Sequence, residues 1–166
     1  NIDPTRIAVG GDSAGGHLAA VTTQRAREEG PSIKMQVLVY PVTDTYQETE
    51  TYRSRGEGYF LTHASMAWFI DSYLNDPSER DDPRASPIRA KSFEGLPPAV
   101  MCTAGFDPLC DEGAAYAEKL KAAGVDVDYV NYPGQIHGFV SMGGAIDEGR
   151  EFLDRACAAL RQSFGT

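Results

Sequence analysis

Residues 7–19 constrain the fold of this chain more than any other stretch. A short apolar run, residues 7–9, leads into four glycines that surround Ser13, and an alanine- and leucine-rich segment follows. Gly11-Asp12-Ser13-Ala14-Gly15 fits the pattern Gly-x-Ser-x-Gly, which is typical of a serine on a sharp turn between a strand and a helix. We expect a positive φ at Ser13 and a turn so tight that side chains at positions 11 and 15 would clash. An ordinary glycine-rich turn or a phosphate-binding loop is the alternative.

Composition narrows the class of protein. The 166 residues are 42% apolar and 23% charged, which are ordinary values for a globular protein with a substantial core. The net charge of −9 and the lack of a basic stripe argue against nucleic acid or an anionic membrane as a partner. The longest apolar stretch, near residues 35–42, is too short to span a bilayer.

Three cysteines, Cys102, Cys110 and Cys157, are odd in number and widely spaced. This pattern favours buried free thiols over a disulfide framework, and it predicts a reducing, cytoplasmic location. The histidine, cysteine and carboxylate residues show no metal-ligand spacing, so we expect no metal and no organic cofactor.

Strand and helix signals alternate along the chain. Strands are predicted over residues 6–10, 35–40, 98–104 and 125–129, and helices over about 13–29, 61–74, 111–123 and a closing segment from Phe152 to Phe164. The first two strands do not alternate polar with apolar residues, which indicates burial on both faces, as in a parallel sheet. The sequence therefore predicts an α/β fold with right-handed crossovers.

Two segments depart from this rhythm. Residues 44–86 are polar and aromatic and contain their own helix, capped by Thr62, so we interpret them as an insertion between sheet elements. Residues 125–129 alternate apolar with acidic side chains, which predicts a half-exposed strand at a sheet edge, followed by a loop over residues 134–144. Edge strands pair readily with a second chain, so residues 125–131 are a candidate homodimer contact.

A nucleophilic serine needs a base, and the chain offers three histidines. His17 lies one turn along the same helix, too close to swing its ring over Ser13, and His63 opens the helix of the insertion. His137 lies in a loop beyond the fourth strand. Loops beyond the carboxyl ends of parallel strands meet at the edge of the sheet that displays Ser13, so His137 is the favoured base.

The base in turn needs a carboxylate that fixes its tautomer. Asp107 ends the third strand at the same edge of the sheet, and Asp44, after the second strand, is the alternative. Asp111 and Glu112 are better explained as residues that complement the positive N-terminus of the following helix. The order serine, aspartate, histidine along the chain matches the order found in α/β-hydrolases.

Several longer motifs resemble one known family. They are Gly11-Asp12-Ser13-Ala14-Gly15-Gly16, Phe106-Asp107-Pro108-Leu109-Cys110-Asp111-Glu112-Gly113, Ile136-His137-Gly138-Phe139, Gly58-Tyr59-Phe60-Leu61-Thr62, Trp68-Phe69, Ser86-Pro87 and Leu96-Pro97-Pro98. Together they resemble the hormone-sensitive-lipase-like carboxylesterases of the α/β-hydrolase fold, over essentially the whole chain. The resemblance implies that residues 1–166 form part of the catalytic domain, a mainly parallel sheet flanked by helices, and that residues 44–86 form part of a helical cap.

The resemblance also implies roles for individual residues. Ser13 would be the nucleophile, Asp107 the acid and His137 the base of a catalytic triad, and the backbone N–H of Ala14 would donate to the oxyanion. The implied reaction is hydrolysis of a small carboxylic ester of short to medium acyl chain through an acyl-enzyme on Ser13. Candidate substrate contacts are Phe60, Leu61, Trp68 and Phe69. Core packing explains these four side chains nearly as well.

One feature of the family is missing. Its members carry a His-Gly-Gly-Gly motif upstream of the nucleophile that supplies further oxyanion donors, whereas only twelve residues precede Ser13 here. The early strands of the family and the first half of its cap are missing too. We therefore expect this chain to be the C-terminal half of a larger enzyme, completed by an N-terminal segment in the same or a second chain, and nearly inactive alone.

Three other interpretations fit the same residues. An amidase, arylformamidase or peptidase would use the same triad on a different bond. A non-catalytic ligand-binding protein on this scaffold, as the plant gibberellin receptors are, loses the triad histidine, whereas His137 is present here. A structural α/β domain with a chance arrangement of the three residues is the third.

Overall fold

The structure is a computed structural model that describes residues 3–166, so the first two residues of the domain predicted over residues 1–166 lie outside it. Within the described residues, four parallel strands form one sheet in the order β1-β2-β3-β4. The strands are β1 Ile7–Asp12, β2 Ile33–Val39, β3 Ala99–Phe106 and β4 Val127–Ile136. The α-helices are α1 Ala14–Glu29, α2 Glu50–Ser54, α3 His63–Tyr73, α4 Cys110–Ala122 and α5 Asp147–Phe164. Short 3₁₀ turns cover Pro77–Asp81, Pro87–Arg89 and Phe139–Met142.

Apolar side chains on both faces of the sheet hold helices against it. One face packs Leu38 and Met101 against α1 and α4. The other face packs Val100 and Cys102 against Phe152 of α5. The burial on both faces predicted for the first two strands fits β2, where four of the seven residues are buried, and is wrong for β1, an edge strand of the described sheet in which every residue is half-buried or exposed. The first six residues of β3 are all buried. The predicted α/β fold is confirmed.

β4 is longer than the sequence predicts. The predicted loop over residues 134–144 is wrong at residues 134–136, because the strand runs over Val127–Ile136, and turns follow it. Its ladder with β3 continues beyond a register shift. Gly105 permits this shift, since a Cβ there would lie 2.4 Å from the carbonyl oxygen of Pro133. His137 therefore lies directly at the end of a strand.

The edge position predicted for the last strand is confirmed. β4 forms one edge of the sheet in the described part of the chain, and the side chains of residues 127–130 are half-buried. The backbone N–H and C=O groups on the outer side of an edge strand are available for pairing with another chain. A homodimer through residues 125–131 stays a prediction.

The insertion predicted over residues 44–86 lies between β2 and β3 and contains α2 and α3. Thr62 caps α3 as predicted, and its Oγ1 accepts a hydrogen bond from the backbone N–H of Ser65 at 3.0 Å. A small apolar cluster fastens the insertion to the sheet: Tyr52, Leu61, Met66 and Leu109. The interpretation of this segment as part of a cap stays a prediction.

The three cysteines are all free thiols. Cys102 is buried in β3 and Cys110 is half-buried at the start of α4. The prediction of a buried thiol is wrong for Cys157, which lies on the solvent-facing side of α5. Neither α5 nor any other helix in residues 3–166 combines the length and the apolar character that crossing a membrane requires.

Candidate active site

Ser13 occupies a strained turn between β1 and α1. Its φ is 54° and its ψ is −117°, a conformation that few residues other than glycine adopt. The backbone N–H of Ser13 donates to the carbonyl oxygen of Val39 at 2.9 Å, which ties the turn to the end of β2. The positive φ that the sequence predicts for Ser13 is confirmed.

Two glycines make this turn sterically possible. A Cβ at Gly11 would lie 2.4 Å from the carbonyl carbon of Gly15, so the predicted need for glycine at position 11 is confirmed. The same prediction is wrong at Gly15, because a Cβ there would meet no atom within 4 Å. The second close approach is at Gly16, where a Cβ would lie 2.9 Å from Cβ of Pro41.

Three side chains predicted to act together meet at the carboxyl edge of the sheet. His137 Nε2 lies 2.9 Å from Ser13 Oγ, and His137 Nδ1 lies 2.6 Å from Asp107 Oδ2. Asp107 is fully buried and His137 is 6% exposed. The second carboxylate oxygen of Asp107 accepts a hydrogen bond from the backbone N–H of Leu109 at 2.9 Å.

The partners of the imidazole define where its proton lies. A carboxylate oxygen only accepts, so the proton of His137 is on Nδ1, which donates to Asp107. Nε2 is then an acceptor, and the hydroxyl of Ser13 donates to it. This tautomer is the one that can receive a proton from the serine.

The two other histidines lie elsewhere. His17 is buried in α1, where its Nδ1 donates to the carbonyl oxygen of Val42 and its Nε2 accepts from the hydroxyl of Tyr73, each at 3.3 Å. Burial lowers the pKa of His17, so its ring is neutral. His63 opens α3 at the surface, with Nε2 2.6 Å from Oε1 of Glu48.

The alternative acids are engaged with other partners. Asp44 forms an ion pair with Arg89, whose Nε lies 3.1 Å from Oδ1. Asp111 accepts a hydrogen bond from the backbone N–H of Thr51 at 3.1 Å. Neither aspartate is hydrogen-bonded to a histidine in residues 3–166, so Asp107 alone of the candidate acids reaches His137.

Glu112 does more than complement a helix N-terminus. Its side chain is buried, and Oε1 accepts hydrogen bonds from the backbone N–H groups of Thr43 at 2.6 Å and Asp44 at 3.2 Å. Burial raises the pKa of Glu112 to about 8, against the opposing effect of these two donors. The sequence does not predict this contact. One signal in the sequence points to it: Glu112 lies four and eight residues before Tyr116 and Leu120, which places it on the buried face of α4.

Tyr40 is a second residue whose place beside the site the sequence does not predict. It follows β2 directly, it is fully buried, and its ring centroid lies 4.6 Å from that of His137. A tyrosine before a proline at a strand end is an ordinary loop signal, so nothing in the sequence pointed to a contact with a histidine nearly 100 residues away.

An apolar groove of about 240 Å³ opens beside the start of α1. Ala14, His17 and Val42 line one side, and Met66, Phe69 and Tyr73 of the insertion line the other. The backbone N–H of Ala14 belongs to the first turn of α1, where N–H groups have no carbonyl partner within the helix. A donor and an apolar surface are therefore available next to the serine.

The four candidate substrate contacts occupy different environments. Phe69 lines the groove, and the ring of Trp68 packs edge-on against it at 5.2 Å. Leu61 is buried in the cluster that fastens the insertion to the sheet. Phe60 is 69% exposed and lies over Gly138, where a Cβ would be 3.4 Å from its ring. The structure brings Phe60 and Phe69 towards the site and turns Leu61 into the core.

The residues that the structure describes contain no group of three or more histidine, cysteine or carboxylate side chains arranged to hold a metal ion. The site therefore consists of a hydroxyl, an imidazole, a carboxylate and the free N–H groups of a helix. Such a set can deprotonate a serine and stabilise a negative charge above it.

Comparisons with known proteins identify the family. A family model described as the α/β-hydrolase fold matches residues 1–141. The chain is 47% identical to the carboxylic ester hydrolase LipN of Mycobacterium tuberculosis over 146 residues, covering 84% of this chain and 39% of that protein. It is 40% identical to the ethyl acetate hydrolase of Pseudomonas putida, covering 97% of this chain and 51% of that protein.

Solved structures give the same result. The thermophilic carboxylesterase EstE1, cloned from a metagenomic library, superposes with a TM-score of 0.93 and 46% identity, covering 98% of this chain and 56% of that one. An esterase of Pyrobaculum calidifontis superposes with a TM-score of 0.91 and 43% identity, covering 97% of this chain and 54% of that one. The chain thus spans about half the length of the relatives it matches. It belongs to the hormone-sensitive-lipase-like family of α/β-hydrolases.

Proposed function

We propose that this chain carries the catalytic triad of a serine carboxylesterase. The observation that supports this most is the unbroken line of hydrogen bonds from Ser13 Oγ through His137 to Asp107, at 2.9 Å and 2.6 Å. The relatives named above are ester hydrolases, and this chain spans about half their length. The activity of the whole protein is therefore part of the proposal.

In the first half of the reaction, Ser13 Oγ attacks the ester carbonyl carbon while its proton passes to His137 Nε2. The tetrahedral intermediate collapses, the bond to the alcohol oxygen breaks, and the proton on Nε2 transfers to that oxygen. Water then attacks the acyl group on Ser13 with Nε2 as the base. The second collapse returns a proton to Oγ and releases the carboxylic acid. Asp107 keeps a proton on Nδ1 throughout, so that Nε2 stays free to accept.

The negative charge of the tetrahedral intermediate needs hydrogen-bond donors. The backbone N–H of Ala14 is one, because it lies in the first turn of α1 beside Ser13. Removing a single donor of this kind lowers kcat by about 10²–10³. Family members take further donors from an upstream glycine motif that residues 1–166 lack, so we expect these residues alone to hydrolyse esters very slowly.

The groove supports an uncharged acyl group of short to medium length as the substrate. The walls of the groove are apolar. The titratable side chains named above as its lining are Tyr73 and His17, and burial lowers the pKa of His17 and keeps its ring neutral. Phe69 and Met66 give the acyl chain a surface to contact. Phe60 lies over Gly138, outside the groove, where it is positioned to contact the alcohol part of the ester.

Fluorophosphonate labelling of the full-length protein tests the proposal. We expect a covalent adduct on the peptide that contains Ser13, and hydrolysis of p-nitrophenyl butyrate. Ser13→Ala is expected to abolish the adduct and to lower kcat by more than about 10⁴-fold. Ser54→Ala, which changes an exposed serine of the insertion, is the matched control and is expected to keep both.

Three outcomes would contradict the proposal. Hydrolysis by Ser13→Ala within tenfold of the wild-type rate would assign the nucleophile elsewhere. Cleavage of the matching p-nitroanilide faster than the ester would make the protein an amidase. A folded wild-type protein that takes no label and cleaves neither compound would favour a ligand-binding role.

A further inference from the structure

The segment that follows β2 contacts the backbone of Ser13 twice. Ser13 donates its N–H to the carbonyl oxygen of Val39 at 2.9 Å, and its own carbonyl oxygen accepts from the N–H of Val42 at 3.4 Å. Tyr40 lies between these two contacts, and its N–H donates to the carbonyl oxygen of Cys102 in β3 at 2.9 Å. The backbone of Tyr40 is therefore fixed relative to the serine and to the centre of the sheet.

The side chain of Tyr40 reaches the histidine of the same site. Its ring is fully buried, with the centroid 4.6 Å from that of His137 and the two planes inclined by 53°. The ring of Tyr40 also packs near that of Phe139, with centroids 5.8 Å apart, and the ring of Phe139 packs near that of Tyr132, with centroids 4.9 Å apart. The rings of Tyr40, Phe139 and Tyr132 thus form a packed row that begins at the imidazole of His137.

Tyr40 holds this position at an energetic cost. Its φ is 34°, and a bulky residue with positive φ costs on the order of 1–3 kcal/mol. Its buried hydroxyl makes no hydrogen bond of good geometry in the described part of the chain, although the side chain of Ser141 lies close enough to oppose the rise in its pKa, and this poor pairing is a further cost. Burial also raises the pKa of Tyr40 to about 12, so the phenol remains neutral. The ring, rather than the hydroxyl, is the part of the side chain that makes useful contacts.

We propose that Tyr40 is a positioning residue for His137. The ring holds the imidazole at the angle that joins Ser13 to Asp107, and it offers an aromatic surface to the imidazolium that forms when the serine loses its proton. An aromatic ring attracts a cation that lies within about 6 Å of its centroid. The inference rests on the proposed function, because only a proton-accepting His137 needs such support. Tyr40 would not touch substrate.

Substitution of the ring separates positioning from simple packing. In the full-length protein, Tyr40→Leu is expected to lower kcat about 10–100-fold and to change KM less than threefold, since a misplaced catalytic group can cost about 10² in rate. Tyr40→Phe keeps the ring and removes only the poorly paired hydroxyl, so it is expected to restore kcat to within threefold of wild type with equal or higher stability.

Phe152→Leu is the matched control. Phe152 is fully buried in the same apolar cluster, on α5, and it is part of neither the hydrogen-bonded line nor the groove. We expect this variant to lose stability to a similar extent as Tyr40→Leu and to keep its kcat. Tyr40→Met, whose unbranched side chain adapts better to an irregular space, replaces Tyr40→Leu if the latter does not fold.

Proton NMR gives a readout that does not depend on activity. The proton between His137 Nδ1 and Asp107 is expected to give a low-field resonance in wild type, in Tyr40→Phe and in Phe152→Leu. It is expected to broaden or vanish in Tyr40→Leu and Tyr40→Met. A wild-type kcat and an unchanged resonance in a folded variant without the ring would overturn the inference. An inactive, unlabelled wild-type protein whose resonance still responds to Tyr40 would instead refute the proposed function alone.

Discussion

Two histidine–carboxylate pairs in this molecule share one contact distance and differ in everything else. At the edge of the sheet, His137 Nδ1 lies 2.6 Å from Asp107 Oδ2, and the two side chains are 8% and 0% exposed. In the insertion, His63 Nε2 lies 2.6 Å from Glu48 Oε1, and the side chains are 45% and 57% exposed. Distance alone therefore does not identify a pair that can support chemistry.

The pairs differ in the ring nitrogen that the carboxylate contacts. Asp107 contacts Nδ1 and leaves Nε2 for the hydroxyl of Ser13, whereas Glu48 contacts Nε2 itself. Water also screens the exposed pair, and such surface pairs contribute about 0–1 kcal/mol to stability. Burial keeps the other pair in a medium where its geometry and electrostatics count for far more. The ring nitrogen and the burial, taken together, distinguish the two.

Removing the charge of the buried carboxylate is expected to lower activity far more than removing the charge of the exposed one. Asp107→Asn is expected to lower kcat of the full-length protein by about 10³–10⁴. If its amide oxygen still accepts from the N–H of Leu109, its NH₂ group faces His137 Nδ1 and moves the imidazole proton to Nε2, which can no longer accept from Ser13. Glu48→Gln is the matched change in the exposed pair and is expected to leave kcat within twofold of wild type. Steady-state kinetics on p-nitrophenyl butyrate measures both.

Equal losses in the two variants would contradict this difference between the pairs, since the exposed pair would then matter as much as the buried one. An Asp107→Asn variant that is folded and within tenfold of wild type would do the same. Circular dichroism and thermal melting of both variants show whether a loss reflects chemistry or unfolding.

Glu112 joins the two regions, because it lies on α4 beside the carboxyl ends of the strands and accepts hydrogen bonds from the backbone of Thr43 and of Asp44, the first residue of the insertion. Its raised pKa makes this junction dependent on pH. Between the ordinary value of 4.5 and about 8, the folded protein binds more protons at Glu112 than the unfolded chain does. The free energy of unfolding at this site is therefore highest at low pH and falls as pH rises through that window.

Glu112→Gln is expected to remove this dependence on pH. The amide oxygen can still accept from the N–H of Thr43, and no charge has to be buried. We expect the Tm of the variant, relative to wild type, to increase on the order of 5 °C from pH 5 to pH 9. Glu118→Gln, an exposed change on the same helix, is expected to show no such trend. A difference in Tm that stays constant with pH would mean that Glu112 does not change its protonation on unfolding in this range.

The sequence predicts the residues at the carboxyl ends of the strands well, because the signals for these positions are local in sequence. A strand that ends in glycines and a serine, and another that ends in an aspartate, place Ser13 and Asp107 at one edge as soon as the sheet is parallel. The extent of β4 is not predictable in this way. The strand runs through Pro133 and Gly134, which are loop signals, because its partner β3 and the close approach at Gly105 determine the pairing.

The supporting residues of the site escape prediction for a related reason. Glu112 and Tyr40 each contact groups that are distant in sequence, at residues 43–44 and at His137. A glutamate in the first turn of a helix usually faces solvent, and a tyrosine at a strand end has no preferred partner. Their positions depend on how α4 and the end of β2 pack, and tertiary packing leaves no periodic pattern.

The smallest expected effect lies wholly within the insertion. Thr62→Ala removes the side-chain bond to the N–H of Ser65 and is expected to lower the free energy of unfolding by about 1 kcal/mol. Thr49 holds the same position before α2 but makes no side-chain capping bond, so Thr49→Ala is expected to cost less than about 0.5 kcal/mol. Urea denaturation of both variants measures the difference, and kcat is expected to stay at the wild-type value in each. A loss of kcat in Thr62→Ala without a loss of stability would show that the start of α3 acts on the chemistry at the sheet edge, and the two regions would then no longer be separable.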